Sequence, residues 1–215
     1  MQENGLEQFG AESEKKTLRT EIVDLFLSFN KKNIKNSQGL NIPLKAEKKP
    51  KPQLNIELSD EKEDTEAWTV EFLGYPGEKP AEAMDESGNY VSFLVDYDNK
   101  IIDLQYARLE HEDLKGKNVY PQIIQSLGER FPQDFRLEAT IRHEKTREKA
   151  INLLEQFRTK QITEDELSHA CYRLGMLRLM LLAGFNEFTV RKDEYNEIIV
   201  TSKKIPKNGT IKITF

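Results

Sequence analysis

The sequence predicts a mixed α/β domain, and three observations carry that prediction. Period-two alternation recurs from Trp68 onward, first in Trp68, Val70 and Phe72, then in Val91, Phe93, Val95 and Tyr97. Stretches of helical spacing lie between such runs, for example Val119, Ile123, Leu127 and Phe131. The order is strands, helix, strand, helices, strands, which interleaves the two kinds of element within one layered domain.

In chain order, Leu18, Ile22, Leu25, Phe26 and Phe29 mark one face of an N-terminal helix that fades at Asn30–Asn33. Residues 45–66, KAEKKPKPQLNIELSDEKEDTE, are dense in charge and hold two prolines, so they are expected to be a linker. Leu54, Ile56 and Leu58 alternate within it and could add a short edge strand. The expected organisation is therefore a helical segment at 1–44, a charged linker at 45–66 and the main domain at 67–215. Within that domain, Gly74-Tyr75-Pro76-Gly77 ends the first strand, and Asp98-Asn99-Lys100 turns the second into a third over about 101–110. Alternation in the third strand holds at Ile102, Leu104 and Tyr106, then slips to Ala107 and Leu109, as a β-bulge would make it.

A helix from Val119 is stopped by Pro132, and Phe135, Leu137, Ala139 and Ile141 make a fourth strand. A helix over 144–158 follows, then a Thr163-to-Glu166 capping box opens another that runs to Ala183, with Gly184 as its C-cap. Strands at 188–191 and 198–202 pair across KDEYNE, and Ile211, Ile213 and Phe215 alternate at the end.

Composition narrows the chemistry. Of 215 residues, 32% are charged and 37% apolar, with a net charge of -5, which argues against duplex nucleic acid as a partner. No apolar run approaches the roughly 20 residues that cross a bilayer. The one cysteine, Cys171, excludes an internal disulfide and a cysteine-built metal site, and His111, His143 and His169 form no metal motif, so no metal is expected. MQENGLEQFGAESEKK lacks the basic-then-apolar start of a secretory signal, and the cytoplasm is the expected compartment.

One stretch carries a chemical suggestion. LKGKNVYPQII, residues 114–124, leads from a strand through a glycine-containing loop into a helix. The first helical N–H groups have no intrahelical acceptors, and the helix dipole adds partial positive charge there. Lys115 and Lys117 contribute formal charge, and Gly116 permits close backbone approach to an anion such as pyrophosphate.

KGKNVYPQII after a strand resembles the acyl-CoA pyrophosphate loop of the GCN5-related N-acetyltransferases, commonly RGKGIG before an aliphatic helix. Setting Lys115 on the leading arginine puts Asn118 and Tyr120 on the two family glycines. Downstream, FRLEATI stands for the family's next strand and REKAINLL for its N-x-x-A-x-x-x-Y helix, matching at Ala150 alone. Gly184-Phe185 and the following hairpin match the family's closing GF and hairpin, after about 25 extra residues, so the segment near 155–183 is an insert. The family tyrosine falls on Leu154, or on Met180 if the second helix is aligned.

The resemblance, over about residues 68–202, implies a GNAT-like, mostly antiparallel mixed sheet flanked by helices. It implies an N-acyltransferase that moves an acetyl or other acyl group from acetyl-CoA or a related donor to an unidentified amine. The bulged strand would offer backbone near Leu109 and Glu110 to the pantetheine arm. Lys115, Gly116, Lys117 and the N–H groups of Asn118, Val119 and Tyr120 would hold the pyrophosphate. Glu110, Glu112 and Asp103 are candidate bases, His111 a candidate shuttle, and Tyr106 and Tyr120 candidate donors to the thiolate. The second expectation is a GNAT-like module without catalysis that serves interaction or regulation. The helix at 14–30 is expected either to dock on the domain or to meet a protein partner in a groove.

Overall fold

A computed structural model describes residues 3–35, 38–49, 64–73, 89–109, 111–114, 119–141, 143–171, 173–195, 197–204 and 212–214. It is α/β, built on a mostly antiparallel mixed sheet. Helix α1 (Glu3–Leu27) passes through a 3-10 turn (Ser28–Lys31) into strands β1 (Asn33–Lys35) and β2 (Asn41–Lys49). Then come β3 (Thr65–Phe72), β4 (Tyr90–Asp96), β5 (Ile101–Arg108), α2 (Val119–Glu129) and β6 (Arg136–Ile141). Helices α3 (Glu144–Arg158), α4 (Glu164–Cys171) and α5 (Gly175–Leu182) precede β7 (Glu187–Lys192), β8 (Ile198–Lys203) and β9 (Lys212–Thr214). Among the described residues the strand order is β1-β2-β3-β4-β5-β6-β8-β7-β9, and only β5–β6 and β7–β9 are parallel.

The linker expected at 45–66 is corrected at both ends, since Thr65 and Glu66 already belong to β3, while residues 50–63 lie outside the described residues. Residues 45–49 belong to β2, which pairs with β3 from Leu44↔Phe72 to Lys49↔Ala67. Its alternation is real but modest: Ile42, Leu44 and Ala46 are buried, and Lys45 points outward. The lysines that suggested a linker form ion pairs at Lys45–Glu47 (3.4 Å), Lys49–Glu47 (3.1 Å) and Lys49–Glu71 (3.2 Å). Pro43 interrupts no bond to β1: Leu44 N–H bonds the Lys32 carbonyl, so alternate pairs are the bonded ones there and the Pro43 backbone faces β3, where its carbonyl accepts from Leu73 N–H at 3.0 Å. Beyond β1 the outer edge of β2 is closed by the Lys32 carbonyl on Leu44 N–H and by Asn30 Oδ1 on Ala46 N–H at 2.6 Å. The edge strand expected at Leu54–Leu58 lies outside the described residues.

The N-terminal helix is likewise part of the domain and not a separate segment. Leu18, Ile22, Leu25, Phe26 and Phe29 are all buried in the same core as the sheet. Phe26 stacks on Trp68 with centroids 4.8 Å apart and tilts against Phe93 at 5.3 Å. Arg19 and Lys15 both pair with Asp64, and the Arg19 guanidinium lies 5.3 Å from the Tyr97 ring centroid. The apolar face of residues 14–30 is thus packed inside the chain, the first of its two expected fates.

In the second half, the helix expected from Thr163 to Ala183 is two helices. Leu174 takes an extended conformation (φ -71°, ψ 127°) and separates α4 from α5. The capping box is present, with Thr163 N–H donating to Glu166 Oε2 at 2.8 Å and Glu166 N–H to Thr163 Oγ1 at 3.3 Å. Gly184 (φ +90°) ends α5 in a Schellman motif, with Phe185 N–H on the Met180 carbonyl and Gly184 N–H on that of Leu181. The insert buttresses α2. A Cβ on Gly128 would sit 2.2 Å from the Ala183 carbonyl oxygen, and the Lys204 ammonium donates to the Gly128 carbonyl at 2.5 Å.

Candidate functional site

Among the described residues, the ladder between β5 and β6 is the shortest in the interior of the sheet, with four rungs. These strands pair in parallel from Ile101↔Arg136 to Leu104↔Ala139 and no further. Both nevertheless continue, each held by its outer neighbour: β5 by β4 as far as Tyr90↔Arg108, and β6 by β8 as far as Ile141↔Ile198. The seam therefore parts at its C-terminal end while both strands stay anchored. The local cause is a bulge. Phe93 faces Leu104 and Ser92 faces Tyr106, so Gln105 is an extra residue on β5. An extra residue bends and twists its strand, which draws β5 away from β6 beyond Leu104. The phase slip expected at Tyr106 and Ala107 is this feature, one step earlier in the chain.

β5 leads directly into the turn that precedes α2. Leu109 is half-buried against the core and Leu114 is fully buried, anchoring the two ends of the turn. Between them Leu114 N–H donates to the His111 carbonyl at 2.9 Å, and His111 N–H to Oδ1 of buried Asn89 at 3.1 Å. Asp113 N–H donates to His111 Nδ1 at 3.3 Å, and the Asp113 carboxylate accepts from Gln38 at 2.9 Å. Helix α2 then opens at Val119, with Pro121 in the first turn, where a missing N–H breaks no intrahelical bond. Ile123, Ile124 and Leu127 bury its inner face.

Of the residues expected to hold the donor, Leu109 follows β5 directly, beyond the last rung of the seam, and Val119 and Tyr120 open α2. Val119 is buried, backbone included. Tyr120 packs half-buried against the core, and burial pushes its phenol above the ordinary tyrosine value. Lys115, Gly116, Lys117, Asn118 and Glu110 lie outside the described residues. Tyr106 is placed opposite Ser92, with its side chain outside the description. Glu112 is exposed in the turn, and the Asp103 carboxylate accepts from the Gln105 carboxamide. On the family's tyrosine positions, Leu154 packs half-buried on the core and Met180 is fully buried.

Residues that sequence reasoning missed are the polar braces Asn89, Gln38 and Gln122. Nothing in the spacing of these amides reveals a partner far along the chain. Cys171 is buried, and burial raises its thiol to about 11, which keeps it protonated and unreactive at neutral pH. Among the described residues no group of three His, Cys, Asp or Glu side chains could hold a metal, and no helix is long and apolar enough to cross a membrane.

No protein-family model matches the chain, and neither a curated protein nor a solved structure matches it.

Proposed function

We propose that the chain is an acyl-CoA-dependent N-acyltransferase of GCN5-related type, acting on an amine. The observation that carries this reading is the parting seam. A parallel pair stops at Leu104↔Ala139 beside a bulge, and the bulged strand runs on through a turn to the N-terminus of α2. An extended thiol-bearing arm needs an extended slot with unpaired backbone groups on its wall. A pyrophosphate needs a helix N-terminus within reach of that slot. The end of β5–β6 pairing at Leu104↔Ala139 and the helix that follows β5 in the chain support this reading.

In this reading the acceptor amine, freed of its proton, attacks the thioester carbonyl carbon. The C–N bond forms as the C–S bond breaks, and the CoA sulfur leaves as a thiolate that is then protonated. Backbone at Leu109 orients the arm, and the Tyr120 N–H serves the pyrophosphate. Glu112, exposed in the turn after β5, is a candidate to take the amine proton directly or through water, with Glu110 and Tyr106.

The second reading, a module of this type without catalysis, is favoured by a separate observation. Leu154 and Met180 are apolar and turned into the core, so neither family tyrosine position offers a proton to a departing thiolate. One measurement separates the readings from any without CoA. At about 100 times its dissociation constant, acetyl-CoA adds about 2.7 kcal/mol, or about 5–10 °C of melting temperature for a chain of this size. An unchanged melting temperature at millimolar acetyl-CoA overturns both. Binding without acetyl transfer to a panel of amines supports the second.

A further inference from the structure

We draw no further inference here: the strongest candidate, the side of the sheet turned away from the core at buried Thr69, whose hydroxyl has no hydrogen-bond partner between Glu47 of β2 and Ser92 of β4, carries nothing because nothing in the structure shows what covers that face.

Discussion

The two halves of the sheet are built differently. From β1 to β5 every strand pairs antiparallel with its sequence neighbour, and the β3–β4 ladder alone runs over seven residue pairs. From β6 to β9 the chain crosses over: β6 pairs with β8, and β7 lies between β8 and β9. The first half is closed by one helix, α1, whose aromatic residues fill its core. The second depends on α2 and α5 meeting at a glycine. Among the described residues, four parallel rungs are the only ladder between the halves. A ligand slot costs least where the sheet is already a junction, since widening it breaks no antiparallel ladder.

This contrast can be broken from either side. The largest effect is expected from Phe26→Ala, which empties a fully buried ring site between Trp68 and Phe93. A loss of about 3–5 kcal/mol is expected in denaturant titration. A loss under about 1 kcal/mol would mean that α1 is an accessory to the first half. Gly128→Ala comes next. Its Cβ meets backbone at Ala183 and not a yielding side-chain end, so about 1–3 kcal/mol is expected, with the loss felt in the α2–α5 contact. Amide exchange should then quicken in α5 before it does in β3 and β4. Uniform quickening would mean the halves unfold as one.

The smallest effect is a pH dependence. The Tyr97 phenol is held above the ordinary tyrosine value, first by burial and then by its hydrogen bond to Glu66 Oε2 at 2.9 Å. A raised folded-state value means stability that is fully present below about pH 10, the unfolded value, and is lost as pH climbs toward the folded one. Tyr97→Phe should lose about 1 kcal/mol at neutral pH and show a shallower decline above about pH 10. Melting curves from pH 8 to 11 measure both, and an unchanged alkaline slope would remove Tyr97 from the contact between α1 and the first half.

The elements legible in the sequence were those whose apolar residues repeat strongly. β4, β6, α2 and α3 lie within a residue or two of where Val91–Tyr97, Phe135–Ile141, Val119–Phe131 and 144–158 put them. β2 was hidden because its inward residues are only Ile42, Leu44 and Ala46, while its outward lysines resemble a solvated tether. The break between α4 and α5 has no proline to announce it; Leu174 is apolar and sits in register. Of the site, the bulge left a trace in the alternation near Tyr106. The amides that brace α2 left none, since a hydrogen bond between residues 87 positions apart follows no local period.

The order of pairing also bears on how the chain is made. On the ribosome, every rung of the β1–β5 meander is available once Arg108 has emerged, because each strand needs only the one before it. β6 must wait about 60 further residues for β8 to supply its second neighbour. During that interval the fresh strand has only the four-rung seam to hold it. Synthesis therefore passes through a stage in which the first half is a finished template with one bare flank, at the strand that carries the bulge. An extra residue there, which spoils regular pairing, also makes that flank a poor landing place for a foreign strand.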